Sequence, residues 1–289
     1  MKVAAVIVCV VSLSAHDSSG VRWERLVPFG AGTITALTVS HIAQARHYWK
    51  TSVPFYVNSG ADAGYAAGAD KFGHAMAAYA TTILVREGLV WSGVDTTVAT
   101  LVGAATALIN QTLVEYRDAT SVASSGADYP YLGWSWGDIA ANVAGAALPV
   151  AQQLWGERLP LLAALRYKYS IHSSGNVERG LYRSIFDDYE SQYHWLCLPL
   201  SALLADSSAW WLRSVGVAIG HSVRGIVADG GLYTYSGKHE IWLALDYNLE
   251  AIPTDSPLLR SVLRILNLAR LPSPCIRLIP NAAVFGFRW

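Results

Sequence analysis

Hydrophobic residues change their spacing along the chain near Pro160. Before this residue the chain carries four apolar stretches, each about 17 to 21 residues long and rich in Ala, Thr, Val and Leu. A helix of this length approaches the thickness of a bilayer at a rise of ~1.5 Å per residue. The pattern predicts four apolar helices, which either span a membrane or form a buried bundle attached to one. The stretches are Leu26–Ala45, Phe72–Trp91, Val94–Val114 and Asp138–Trp155.

Beyond Pro160, apolar and polar residues alternate with a period of two, which is typical of β-strands. The predicted strands are Tyr167–Ile171, Tyr193–Leu198, Val215–Ile219, Leu243–Leu249 and Ala283–Trp289. Between the last two, Ser256–Leu271 carries Leu and Val at helical spacing, which predicts an amphipathic helix. We therefore predict an α+β fold. An apolar four-helix bundle over residues 26–155 is followed by a small antiparallel β-sheet region with one amphipathic helix over residues 160–289.

The first fifteen residues have the composition of an export signal. Lys2 supplies a positive charge, Val3–Leu13 an apolar core, and Ser14 and Ala15 the small residues that precede a cleavage site. The apolar core is shorter than the roughly 20 residues that span a bilayer. We predict that residues 1–15 are a cleaved signal peptide, with a short uncleaved anchor as the alternative. The mature chain is then exported to the periplasmic side of the inner or the outer membrane.

The composition favours contact with lipid and gives no support to nucleic-acid binding. Hydrophobic residues make up 53% of the chain and charged residues 15%, whereas an ordinary globular domain carries roughly 25% charged residues. The formal net charge is zero, so no basic surface is predicted that would attract a polyanion. Cys197 and Cys275 would remain after cleavage, either as a disulfide or as two buried free thiols.

Small residues recur every four positions on two of the predicted helices. Gly137, Ala141 and Gly145 share one helix face, and Gly103 and Ala107 share another. Such a face lets a neighbouring helix backbone approach closely. The spacing predicts tight helix packing and needs no functional explanation.

Ionisable residues interrupt the apolar half in three short motifs. Asp70-Lys71-x-x-His74 opens the second helix, and Glu115-x-x-Asp118 closes the third. Ser135, Asp138 and Asn142 open the fourth. Residues three or four apart share a helix face. If consecutive helices run antiparallel, all three motifs lie at one end of the bundle, where they would form a His/carboxylate cluster.

Each of these residues also has an ordinary structural explanation. Asp70 is suited to cap a helix, and Ser135 with Asp138 resembles a capping box with Asp in place of Glu. Lys71 and Glu115 could pair with neighbouring charges. The functional hypothesis rests on the residues as a group, because ionisable side chains at the ends of apolar helices are costly and mark functional sites.

The stretch from about Val27 to Leu154 resembles the YfiM-like family of predicted periplasmic lipoproteins and, more distantly, the VanZ-like membrane proteins. The resemblance rests on the three motifs above and on Gly133-Trp134-Ser135-Trp136-Gly137. It implies a location in the cell envelope and a polar cluster, but it implies no particular reaction. The chain departs from the family in lacking a clear lipidation cysteine.

Two functions are predicted from these residues. In the first, the chain is an envelope protein whose cluster locks the helices together or holds a ligand, with Lys71, Asp118, Ser135 and Asn142 as binding residues. In the second, it is a membrane-surface hydrolase or transferase acting on a lipid or glycan headgroup. His74 would then serve as acid and base, while Asp70, Glu115 or Asp138 would orient it or hold a divalent metal.

Overall fold

The computed structural model describes residues 20–58, 62–122, 133–172, 188–204, 209–228 and 235–288. The predicted signal peptide, residues 1–15, lies outside them. The chain divides into two compact units. The first unit comprises residues 1–62 and 77–150, and the second comprises residues 63–76 and 151–289. The sequence predicts a boundary between residues 155 and 160, so that residues 63–76 fall within the helical region 26–155.

Each of the four predicted apolar stretches forms a helix. Their bounds are α1 Trp23–His47, α2 Ala69–Trp91, α3 Thr96–Thr120 and α4 Trp136–Trp155. Helix α2 begins with residues of the second unit and continues into the first. Two described helices, Trp23–Arg46 and Thr96–Thr120, are long and apolar enough to cross a membrane, judged by length and composition. In the first of them only 6% of the most apolar stretch is buried.

Small residues hold α2, α3 and α4 close together inside the first unit. Ala78, Ala104, Ala107 and Ala146 form one buried cluster. A Cβ atom on Gly103 would lie 2.5 Å from the backbone oxygen of Thr82. The predicted close approach at Gly103 and Ala107 is therefore present between α2 and α3.

Two short strands in the first unit were not predicted. Strand β1 (Thr51–Ser52) pairs antiparallel with β2 (Ser121–Val122), directly after α3. The predicted first half was wholly helical and is wrong at these four residues. Their pairing joins segments about 70 residues apart, and no local alternation in either segment signals it.

The second unit contains a six-stranded antiparallel sheet with neighbouring strands in sequence order. Five of these strands were predicted, although β5 continues nine residues beyond the predicted Ile219 and β6 begins eight residues before the predicted Leu243. Strand β7 was missed, because register shifts in its pairing with both neighbours obscure its alternation. The bounds are β3 Arg166–Ile171, β4 Gln192–Pro199, β5 Val215–Ala228, β6 Tyr235–Tyr247, β7 Ser273–Ile279 and β8 Ala283–Arg288.

In the described part of the second unit, four short α-helices accompany the sheet. They are α5 Pro160–Ala164, α6 Leu200–Leu203, α7 Trp210–Ser214 and α8 Pro257–Leu266. Helix α8 is the predicted amphipathic helix, and it ends five residues earlier than the sequence pattern indicated, at Leu266 rather than Leu271.

The buried face of the sheet holds charged residues beside its aromatic core, and the exposed face is apolar. On β6, Glu240 and Asp246 are buried along with Trp242, whereas Leu243 and Leu245 are exposed. The buried face holds an ion pair between Lys168 and Asp246, at 2.9 Å. In the usual arrangement of a soluble antiparallel sheet, the apolar face is buried and the polar face meets water.

Both cysteines of the second unit are buried free thiols. Cys197 on β4 and Cys275 on β7 belong to the cluster that includes Trp195 and Trp242. Of the two alternatives left open by the sequence, the structure has the free thiols.

Candidate functional site

The end of α3 and the start of α4 meet through their polar residues in the first unit. The backbone nitrogen of Ser135 donates a hydrogen bond to Glu115 Oε2 at 3.2 Å. The nitrogen of Asp138 donates to Ser135 Oγ at 2.9 Å, which is the cap that the sequence predicted for α4. Glu115, Asp138 and Asn142 are all buried. The second and third motifs therefore converge.

Asp62 belongs to the same cluster and was missed by the sequence analysis. Its carboxylate accepts a hydrogen bond from the Ser135 hydroxyl and another from the nitrogen of Gly137, the latter at 2.9 Å. A carboxylate at the N-terminus of α4 is favoured by the unpaired N–H groups and the helix dipole. Asp62 lies in a Gly- and Ala-rich loop with no periodic pattern, so its spacing gave no signal.

Asp118 occupies the last turn of α3 and has an unusual pKa. Trp49 Nε1 donates a hydrogen bond to Asp118 Oδ1 at 2.6 Å, and Tyr56 donates to its backbone oxygen at 3.2 Å. Burial, aided by the negative charge of Asp138, raises the pKa of the Asp118 carboxyl to about 7, although the Trp49 hydrogen bond opposes this. Asp118 is thus a carboxyl group that exchanges a proton near neutral pH.

The first motif lies at the start of α2, in residues of the second unit. Lys71 Nζ pairs with Asp70 Oδ2 at 3.2 Å, which agrees with the structural explanation for Lys71. Asp70 is buried and His74 is half-buried. The two residues stand one turn apart, and a carboxylate oxygen of Asp70 lies within 4.8 Å of a ring nitrogen of His74.

Contacts within the second unit fix the start of α2. The Phe72 ring stacks on the ring of His221, with centroids 4.2 Å apart. The Tyr167 hydroxyl donates to the backbone oxygen of Phe72 at 3.0 Å and also meets His194 Nδ1 at 3.0 Å. These contacts hold the segment that carries Asp70 and His74 against β3, β4 and β5.

No functional role was predicted from the sequence for His194 or His221. They are cross-strand partners on β4 and β5. Burial, with a smaller contribution from neighbouring histidines, lowers the pKa of His194 to about 3 and that of His221 to about 4. Both rings are therefore neutral at physiological pH. Each is a single histidine in a strand, a pattern that carries no functional signal.

Comparison of the chain with protein-family models, with curated proteins and with solved structures gave no match. The resemblance to the YfiM-like family therefore stays a prediction that rests on the three motifs.

The raised pKa of Asp118 predicts a measurable dependence of stability on pH. Its value of about 7 in the fold exceeds the ordinary 3.8, so the folded chain holds this proton more tightly than the unfolded chain does. The resulting stabilisation is complete below about pH 3.8 and is lost as the pH rises to about 7. Asp118→Asn imitates the protonated carboxyl and is expected to be more stable than the parent at pH 8, with little difference at pH 4.

We expect the free energy of unfolding of Asp118→Asn to exceed that of the parent by about 1–2 kcal/mol at pH 8. The gain is smaller than for a fully inaccessible carboxyl with the same pKa, because part of the Asp118 residue remains accessible. Urea unfolding at pH 4 and pH 8 measures the gain. Asp95→Asn is the control, because Asp95 is an exposed cap of α3 with ordinary hydrogen bonds to Thr97 and Val98. Equal changes at both pH values would contradict the assignment.

Proposed function

We propose that this chain is an exported, membrane-associated protein of the cell envelope whose carboxylate cluster at the junction of α3 and α4 binds a divalent cation and so holds these helix ends together. Its apolar composition and the two helices long enough to cross a membrane support the membrane association. The cation is proposed for the carboxylates of Asp62, Glu115 and Asp138 in the first unit. The ligand roles predicted for Asp70, Lys71 and His74, which belong to the second unit, stay predictions.

The packing of small residues in the first unit supports this convergence. Ala78 of α2, Ala107 of α3 and Ala146 of α4 share one cluster. Each turn of a helix advances about 5.4 Å. Two turns from the alanine cluster are Glu115 on α3 and Asp138 on α4. The same helix geometry that packs the alanines thus carries these two acids to a common level.

The single observation that carries the proposal is the group of carboxylates at the junction of α3 and α4. The carboxylates of Asp62 and Glu115 accept hydrogen bonds from Ser135, and the backbone nitrogen of Asp138 donates to Ser135 Oγ. Glu115 and Asp138 are buried, and the charge of Asp138 raises the pKa of Asp118. Buried like charges repel and must be offset by a proton or a cation. Carboxylate oxygens suit Mn²⁺, and Zn²⁺ is also bound by Asp and Glu.

Calorimetric titration of the purified full chain with Mn²⁺ and with Zn²⁺ tests the proposal. The parent is expected to bind one cation per chain. Asp138→Asn and Glu115→Gln each remove one ligand and are expected to weaken binding by at least about tenfold, which is 1.4 kcal/mol. Asp95→Asn, which removes an exposed carboxylate that caps α3, is expected to bind as the parent does.

Absence of binding by the parent would remove the cation from the proposal. Binding that is unchanged in both ligand variants would place the cation elsewhere. Circular dichroism of each variant establishes that it is folded before its affinity is compared.

A second candidate function is a membrane-surface hydrolase or transferase that acts on a lipid or envelope glycan headgroup. The observation that favours it is the pKa of about 7 at Asp118, because a group that titrates near the working pH is suited to general acid–base catalysis. The sequence separately predicts His74 as an acid and base and Lys71 as a phosphate contact. Release of headgroups from mixed vesicles, lost in Asp118→Asn and retained in Asp95→Asn, would establish this function.

A further inference from the structure

A cleft at one end of the six-stranded sheet is lined by several arginines. Its volume is about 490 Å³, and its walls come from the turns that follow β4 and β6 and from helices α7 and α8. Among the lining residues are Arg166, Arg213, Arg260 and Arg264, with Glu250 as the one acid. All of them belong to the second unit.

The acid in the cleft is already neutralised by one of the arginines. Arg166 forms a two-pronged ion pair with Glu250, Nε to Oε1 at 2.7 Å and Nη2 to Oε2 at 2.9 Å. Asn267 donates a further hydrogen bond to Glu250 Oε1 at 3.0 Å. The remaining arginines therefore give the cleft a net positive charge.

Two of these arginines present their charge to the opening of the cleft. Arg213 and Arg260 are exposed, and in the described ranges neither forms an ion pair. The Arg260 guanidinium donates a hydrogen bond to the backbone oxygen of Thr254, at 3.1 Å. A guanidinium group presents several N–H donors in a plane, which matches the oxygens of a phosphate group.

Exposed apolar side chains surround the same end of the sheet. Pairing of Pro199 with Gly216 and of Val215 with Tyr247 places the connections α6, α7 and α8 at one end. Trp210 is 64% exposed and Leu204 is 62% exposed. Tryptophan, leucine and arginine in one surface belt are typical of a protein face that lies at the headgroup level of a membrane. The belt comprises Leu203, Leu204, Trp210, Trp211, Leu258 and Leu259.

The outer face of the sheet continues this apolar surface. One exposed apolar residue from each of five successive strands forms a row of cross-strand partners, and no charged residue belongs to it. Cross-strand partners lie side by side on one face of a sheet. In strands that contact lipid, apolar side chains face outward and polar or charged side chains face inward. The row is Leu196, Ile219, Leu243, Ile276 and Val284.

We propose that the arginine-lined cleft binds the phosphate headgroup of an anionic lipid, with the apolar belt and the outer face of the sheet against the acyl chains. This inference deepens the membrane association in the proposed function and is independent of the cation. Basic residues close to a membrane surface attract anionic lipids. The belt favours a lipid over a free phosphate, because a soluble anion needs no apolar surroundings.

Native mass spectrometry of the full chain in a neutral detergent tests the cleft. The parent is expected to retain phosphatidylglycerol in preference to phosphatidylcholine. Arg213→Gln with Arg260→Gln is expected to weaken retention of the anionic lipid by about tenfold or more, because charge-assisted hydrogen bonds are lost. Lys238→Gln removes one exposed charge from the opposite end of β6 and is expected to leave retention unchanged.

Three results would overturn the proposal. Equal retention of both lipids would show that the cleft does not recognise the anionic headgroup. An equal loss in Lys238→Gln would show that only overall charge matters. Displacement of the lipid by inorganic phosphate at a similar concentration would assign the cleft to a soluble phosphate. If lipid retention fails these tests while the chain still fractionates with membranes, the cleft proposal is refuted and the proposed function stands. If the chain does not fractionate with membranes, the cleft proposal and the proposed membrane association are both refuted.

Discussion

Lys168→Met is expected to lower the free energy of unfolding by about 3–5 kcal/mol, the largest single effect that the structure predicts. Lys168 Nζ lies 2.9 Å from Asp246 Oδ2 and donates to the backbone oxygen of Tyr247 at 2.8 Å. The two charged side chains are 0% and 4% exposed. Removing the lysine leaves a buried carboxylate without its counter-charge, in a place that water does not reach. Urea unfolding, followed by tryptophan fluorescence, measures the loss.

The same argument predicts that a second substitution restores stability. In Lys168→Met with Asp246→Leu both charges of this ion pair are removed, so the double variant is expected to recover most of the loss. Lys238→Met on the exposed part of β6 is the matched control, because surface changes are usually within about 0.5 kcal/mol. If Lys168→Met unfolds at the same urea concentration as Lys238→Met, the buried pair contributes nothing to stability.

Gly103→Ala is expected to destabilise the first unit by about 1–3 kcal/mol, although alanine is the better helix former. The added Cβ would lie 2.5 Å from the backbone oxygen of Thr82. Because the obstacle is backbone within α2, it can be relieved only by separating α2 from α3. Thermal unfolding of the two proteins side by side measures the change.

Gly30→Ala in α1 provides the matched control. Nothing lies within 4 Å of a Cβ atom at this position, so the substitution meets no obstacle. It is expected to stabilise the chain by up to about 1 kcal/mol, the difference in helix propensity between the two residues. Opposite signs for the two alanine variants would establish close packing at Gly103, and a gain in both would refute it.

Local patterns were sufficient to predict most of the secondary structure. The apolar stretches gave four helices because each is long and has turn residues on both sides. Period-two alternation gave five of the six strands of the sheet for the same reason, since each pattern reports on the few residues of its own element. Strand β7 was not predicted, because its bulges break the period-two alternation.

The candidate site was only partly predictable. Ser135 and Asp138 were identified with their cap because a cap depends on residues three positions apart. Asp62 was missed, because its bonds to Ser135 and Gly137 join residues more than 70 positions apart. The raised pKa of Asp118 also could not be predicted from the sequence, since it depends on burial and on the charge of Asp138.

The sequence by itself determined the helices, most strands, the small-residue packing faces and the identity of the ionisable residues, because these follow from propensity and spacing within one element. Only the tertiary structure decided which face of the sheet is buried. Alternation along β6 is the same whether Asp246 or Leu243 points inward; the partner Lys168, 78 positions away, lets the charged face be buried. The arginine-lined cleft arises likewise, from four separate segments that meet only after the strands pair.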